Sequence, residues 1–141
     1  MYISWAMVNR SDLVRVPAYK PGREASRRVE YRAPDPACNP YFAFSVMLSA
    51  GLEGISKGYP LAAPANTNVQ NIDDKERDAM GIETLPGSLW EAIQVTEQSE
   101  LVKKALGEHV FRSFIQNKKI EWEEYRSQVT DYEIDRYLPI L

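Results

Sequence analysis

The chain has 141 residues, 44% of them hydrophobic and 26% charged, with nine Pro, seven Gly and a formal net charge of −3. This is the composition of an ordinary globular domain and excludes a disordered, collagenous or disulfide-built chain. Cys38 is the single cysteine and there is one histidine, so neither an internal disulfide nor a clustered zinc site can form, and a reducing compartment, the cytoplasm, is expected.

No membrane span is expected either. The longest apolar run, residues 41–50, is broken by Ser45 and Ser49 and falls short of the ~20 residues a spanning helix needs. The first residues lack the basic stretch of a secretory signal. Charge is unevenly spread. Residues 1–37 hold seven basic against four acidic side chains, whereas the remainder holds ten against sixteen. Six arginines, Arg10, Arg15, Arg23, Arg27, Arg28 and Arg32, fall in the first 32 residues. Arginine forks onto carboxylates and phosphates, so this segment is suited to an anionic ligand.

In chain order, residues 2–6, 13–17 and 27–33 read as short strands rich in Val, Ile, Tyr and Trp, separated by Asn9-Arg-Ser-Asp12 and Lys20-Pro-Gly22. The prolines of residues 34–40 end the last strand, and Asn39 followed by Pro40 marks a helix start. Residues 41–56 are apolar on nearly every side, with small residues among them, and read as a buried central helix. Residues 58–71 form a long loop. Short helices are expected at 73–80 and 88–97, the second opened by Ser88-x-x-Glu91. Residues 108–126 carry the strongest amphipathic pattern, through Val110, Phe111, Phe114, Ile115, Trp122 and Tyr125. Thr130-x-x-Glu133 opens a last helix that Pro139 ends. The fold class is therefore α+β: short antiparallel strands in the first ~35 residues, then a mostly helical remainder.

Strand alternation puts Arg28, Glu30 and Arg32 on one face and Val29 and Tyr31 on the other. If Val29 and Tyr31 face a core, the three charges line a solvated groove, and Arg15 adds a cation if its strand pairs alongside. Such a groove suits phosphate, and Glu30 among cations suits one ligand of a bridging divalent metal. A surface ion-pair ladder has the same pattern. There is no GxxxxGK[ST] loop, no GxGxxG and no second carboxylate at metal spacing in this half. His109 and Cys38 read as structural or inert side chains, and Lys118-Lys119 as part of a solvated face. The aromatic residues of 108–126 sit on a helix that is not strongly basic, so no nucleic-acid partner is expected.

Three stretches carry a resemblance: Asn9-Arg-Ser-Asp-Leu-Val-Arg-Val-Pro17, Arg27-Arg-Val-Glu-Tyr-Arg-Ala-Pro-Asp-Pro-Ala-Cys-Asn-Pro-Tyr41 and Ala50-Gly-Leu-Glu-Gly-Ile55. With Glu83-Thr-Leu-Pro-Gly-Ser-Leu89 and Glu133-Ile-Asp-Arg-Tyr-Leu138, they resemble the carboxyl-terminal part of type I glutamine synthetase, whose catalytic domain is guanido kinase-like. The resemblance implies an enzyme that phosphorylates the side-chain carboxylate of glutamate with ATP and then lets ammonia displace the phosphate. It implies Arg10 as a catalytic contact to glutamate and the transferred phosphoryl group, Arg15 and Arg28, with Arg10, as ATP-phosphate ligands, and Arg32 as a glutamate ligand. Glu30 is implied as one ligand of Mg2+ or Mn2+.

By the family pattern, residues 1–37 are active-site strands and residues 38–141 the helical part. The amino-terminal β-grasp domain and the earlier half of the catalytic domain, with the other metal ligands, are absent from the chain. The 141 residues alone are accordingly expected to be inactive, as an excised or truncated portion of a subunit that assembles into a homo-oligomeric dodecamer. The tyrosine adenylylated in some bacterial members aligns approximately with Gln70, so that control is expected to be absent. Two alternatives stand beside this reading: a portion of a related ligase joining glutamate to another amine, and a non-catalytic module that associates with itself or with intact subunits.

Overall fold

The computed structural model describes residues 1–9, 12–65 and 69–140, and the chain divides into two compact units, Met1–Gly87 and Ser88–Leu141. In the first unit a small sheet has the order β1 (Trp5–Ala6), β2 (Val14–Arg15), β3 (Glu30–Tyr31). The α+β reading holds, with strands shorter than the sequence suggests.

One pairing differs from expectation. β2 and β3 are antiparallel, but β1 and β2 are parallel. Parallel neighbours normally need a crossover of a dozen or more residues. Here each strand is so short that residues 7–13 suffice to bring the chain back: Val14 N–H donates to the Ser4 carbonyl at 3.1 Å and Val16 N–H to that of Ala6 at 2.9 Å. Ser4 Oγ donates to Asp12 Oδ1 at 2.5 Å and ties the connection to the strand that precedes it. Asp12 is fully buried and contributes, with Ala6, Leu13, Ala65 and Val69, to the small interior of this unit.

The outer side of β1 is covered by later chain. Ala65 N–H donates to the Trp5 carbonyl at 2.8 Å, Trp5 Nε1 donates to the Ala62 carbonyl at 2.7 Å, and Ile3 N–H donates to that of Glu83 at 2.7 Å. β3 is the opposite edge of the sheet. α2 (Asp74–Ala79) is capped by Asp73, whose carboxylate accepts from Glu76 N–H at 2.7 Å. Its Arg77 is buried over the Tyr2 ring, 4.1 Å from the centroid, and donates to the Ile72 carbonyl at 2.8 Å.

α1 (Pro40–Lys57) begins as expected: Asn39 Oδ1 accepts from Tyr41 N–H at 3.0 Å and Pro40 occupies the first turn. It ends at Gly58 in the left-handed region, φ 60°, where a side chain would be strained. The expectation of a buried central helix is not met, since none of its residues is buried. An all-round apolar helix is buried only if other chain packs around it, and the described residues supply too little.

The second unit is helical: α3 (Leu89–Glu97), α4 (Glu100–Leu106), α5 (Glu108–Arg126) and α6 (Asp131–Tyr137). Ile93, Phe111 and Ile115 form its buried core, with Leu89, Val102, Leu106, Phe114 and Trp122 packed around them. Trp90 stacks on Trp122 with centroids 6.4 Å apart. In the amphipathic reading of α5, Val110, Phe111, Phe114, Ile115 and Trp122 are buried or half-buried, whereas Tyr125 is exposed, as is Ile120. The Thr130–Glu133 capping box is present in both directions. α4 was not anticipated as a separate helix; Ser99 as N-cap and Gly107 as its last-turn breaker are the signals that mark it.

Candidate functional site

The antiparallel register sets Arg15 directly opposite Glu30. Side chains so placed share a face of the sheet with Cβ atoms about 5 Å apart, so a guanidinium reaches a carboxylate without strain. Arg15 Nη1 donates to Glu30 Oε2 at 2.9 Å. Arg28, two residues before Glu30 and on the same face, donates from Nε to Glu30 Oε1 at 2.8 Å, with Nη2 2.7 Å from the same oxygen. The carboxylate therefore stands between two cations, one on each oxygen.

Exposure separates the two arginines. The side chains of Arg15 and Glu30 are 21% and 25% exposed, while that of Arg28 is 54% exposed. Arg15 is thus the more shielded of the two and Arg28 the more solvent-facing, steadied by a 3.3 Å bond from Nη1 to the Ser26 carbonyl. Arg15 Nε is buried without a hydrogen-bond partner among the described residues. The hydrogen bond from Arg15 is the largest influence on Glu30 and holds its carboxyl below the ordinary glutamate range. Desolvation opposes this, and the Arg28 hydrogen bond and the two positive charges add to it.

Arg32 follows on the same face by alternation and is exposed. Its backbone N–H donates to the Leu13 carbonyl at 2.9 Å, and its side chain makes no hydrogen bond or ion pair among the described residues. Arg10 lies outside the described residues, as does the side chain of Gln70. The condition that Val29 and Tyr31 face a core is not met: Val29 is 67% exposed and Tyr31 is exposed as well. Among the described residues the sheet consists of three two-residue strands. Val14, Val16 and Val29 instead line an apolar cleft of about 800 Å3 with Ile3, Leu61 and Ile82.

Beside Arg28 the residues between β2 and β3 form a second feature that sequence reasoning missed. Arg27 lies over the Tyr19 ring, 4.3 Å from its centroid, and Tyr19 Oη donates to Glu24 Oε1 at 2.7 Å. The Tyr19 bond is the main reason that the Glu24 carboxyl lies below its ordinary range. Tyr19, Arg27 and Arg28 line a pocket of about 570 Å3 together with Met7, Val16 and Pro17. Only the fold brings Tyr19 and Arg27 together, so spacing carried no signal. His109 and Cys38 are exposed.

A divalent cation does not fit the described residues alone. They contain no group of three His, Cys, Asp or Glu side chains able to hold one. Glu30 offers a single carboxylate, and both of its oxygens are engaged by guanidinium groups. Any further ligands must come from outside these residues.

A family model described as glutamine synthetase, catalytic domain, matches residues 1–137. This chain belongs to the glutamine synthetase family. It is 56% identical over 137 residues to a glutamine synthetase of Mycolicibacterium smegmatis, an alignment covering 97% of this chain and 31% of that protein. It is 49% identical to a glutamine synthetase of Methanosarcina mazei over 100% of this chain and 31% of that one. A solved structure described as apo GmaS without ligand superposes with a TM-score of 0.79 at 30% identity, covering 96% of this chain and 30% of the other. The chain thus spans about a third of the length of the glutamine synthetases it matches, as a carboxyl-terminal part of the catalytic domain. Among the described residues no helix is long and apolar enough to cross a membrane.

Proposed function

We propose that this chain supplies the phosphate-binding, glutamate-binding and one metal-binding side chain of an ATP-dependent glutamate–ammonia ligase. The observation that carries this reading is the Arg15–Glu30–Arg28 constellation, in which a partly shielded carboxylate holds two guanidinium groups beside a pocket of ligand size. In the first half-reaction a γ-carboxylate oxygen of glutamate attacks the γ-phosphorus of ATP and ADP leaves. In the second, ammonia attacks the acyl carbon of the γ-glutamyl phosphate, inorganic phosphate leaves, and the nitrogen loses a proton.

Negative charge moves across the transferred phosphoryl group, so fixed cations stabilise the transition state with little reorganisation. Arg15 and Arg28 take that role toward the ATP phosphates, and Arg10 contacts both phosphoryl group and glutamate. Arg32, with no partner among the described residues, is available to the carboxylate of glutamate. Glu30 orients Arg15 and Arg28 and serves as one ligand of Mg2+ or Mn2+, which when bound neutralises phosphate charge. Residues 1–37 are the active-site strands and residues 38–141 the helical part of this portion of the domain. With a single metal carboxylate the 141 residues alone are inactive, and the complete enzyme is a homo-oligomer. Ammonia is favoured over another amine because the relatives at 49–56% identity are named glutamine synthetases.

The test is a graft. The Mycolicibacterium smegmatis relative with its matched 137 residues replaced by those of this chain is expected to form glutamine from glutamate, ammonia and ATP, whereas the 141-residue chain alone forms none. In the graft, Arg32→Ala should raise the KM for glutamate by about tenfold or more, in line with the loss of a charge-assisted pair. Activity of the isolated chain, or an Arg32→Ala graft with unchanged glutamate kinetics, would reject the corresponding assignment.

A further inference from the structure

Arg28 stands outside the ladder that holds its two partners. β3 begins at Glu30, so pairing with β2 fixes the backbones of Arg15 and Glu30 but not that of Arg28, whose side chain is 54% exposed. An exposed arginine keeps large rotamer freedom, and its guanidinium takes one direction only where other contacts impose it.

The turn ahead of Arg28 supplies those contacts. A connection as long as residues 16–29 is mobile unless its own side chains pack it. Tyr19 closes this one with both parts of its side chain: the hydroxyl donates to Glu24 Oε1 at 2.7 Å, and the ring lies 4.3 Å beneath the Arg27 guanidinium. Glu24 in turn ties the backbone on either side of itself. Its Oε1 accepts from Gly22 N–H at 3.3 Å, and its carbonyl accepts from Arg27 N–H at 3.1 Å. Gly22, with φ 75°, permits the bend. Ser26 is held by its Oγ, which donates to the Arg23 carbonyl at 2.7 Å, and its own carbonyl accepts from Arg28 Nη1 at 3.3 Å.

The Arg28 guanidinium is therefore gripped from two directions, by Glu30 through Nε and Nη2 and by the turn through Nη1. Tyr19, Glu24 and Arg27 are all exposed, so the clasp adds nothing to a buried core. What it orders is the turn that adjoins Arg28.

We propose that Tyr19 is a positioning residue for Arg28: by holding Glu24 and Arg27 it fixes the turn at residues 22–26, and through Ser26 it sets the direction of the Arg28 guanidinium at the candidate phosphate site. The positioning role deepens the proposed ligase function and rests on it for the ligand alone, because the direction of Arg28 belongs to the chain without ATP.

The first measurement reads Arg28 in the 141-residue chain without ligand, by hydrogen exchange at its Nε–H, the signal being assigned through its loss in Arg28→Gln. Tyr19→Leu removes both ring and hydroxyl and should speed that exchange by about fivefold or more, while exchange at Arg15 Nε–H and the circular dichroism stay as in the parent. Tyr19→Phe keeps the ring under Arg27 and should give a smaller change. Glu24→Ala breaks the clasp from its other side and should act in the same direction as Tyr19→Leu, which keeps the test decisive if the Tyr19 variant folds poorly.

The second measurement uses the graft into the Mycolicibacterium smegmatis relative. Tyr19→Leu should lower kcat/KM for ATP by about fivefold or more without changing the KM for glutamate, and should add nothing in an Arg28→Gln background, where no guanidinium is left to position. Arg28 exchange within about twofold of the parent in both clasp variants, or additive effects of Tyr19→Leu and Arg28→Gln, would overturn the proposal. Unchanged ATP kinetics in Arg28→Gln itself would instead reject the phosphate reading, and the exchange measurement would still decide the positioning.

Discussion

Arg15 and Glu30 face each other across the β2–β3 pair, and Arg15 Nη1 meets Glu30 Oε2 at 2.9 Å. Because Arg28 occupies the other carboxylate oxygen, the cluster carries two cations on one carboxylate and keeps a formal charge of +1. Arg28 is the more exposed of the two guanidinium groups and Arg15 the more shielded.

The pairing makes a testable statement about Glu30. Its carboxyl is held below the ordinary glutamate range mainly by Arg15. A carboxyl with a depressed pKa in the folded state adds stability above the unfolded pKa, roughly pH 4, and loses that contribution as pH falls through the folded value. Carboxyl-carbon NMR titration should therefore show Glu30 with a midpoint below those of unpaired glutamates. Arg15→Gln should return it toward the ordinary range more completely than Arg28→Gln; equal effects would contradict the order of the two bonds.

The helical unit should behave as an ordinary small core. Phe111→Ala removes a buried ring that packs with Ile93 and Ile115 and is expected to cost about 3–5 kcal/mol, whereas Ile93→Val should cost about 1 kcal/mol. Urea unfolding followed by tryptophan fluorescence checks this, because Trp122 touches that core and stacks on Trp90. Similar midpoints for the two variants would show that Phe111 is not a core residue in solution.

Sequence alone located what short-range chemistry decides. Asn39 with Pro40, Ser88 ahead of Glu91 and the reciprocal Thr130–Glu133 pair are settled within three or four residues, and each appears where the pattern put it. The shared face of Arg28 and Glu30 follows from strand alternation, and Arg15 joins it once the strands pair in this register. What failed was long-range. The exposure of Val29 and of α1 depends on how much other chain is present, which no local pattern records. The parallel β1–β2 pair depends on a return of seven residues closed by Ser4 and Asp12, and the Tyr19–Arg27 stack on the path of the loop between β2 and β3. The family resemblance supplied the roles, and local geometry supplied the grouping of Arg15, Arg28 and Glu30.

The central claim is that this grouping grips the phosphates of ATP, and the most direct measurement is the ATP dependence of the grafted enzyme carrying Arg28→Gln or Arg15→Gln. Each substitution removes a cation from the site of charge development and should lower kcat/KM for ATP by about a hundredfold or more, the scale of a lost transition-state donor. Folded, assembled variants whose kcat/KM for ATP stays within twofold of the unsubstituted graft would contradict the claim and return these arginines to the status of a surface ion-pair ladder.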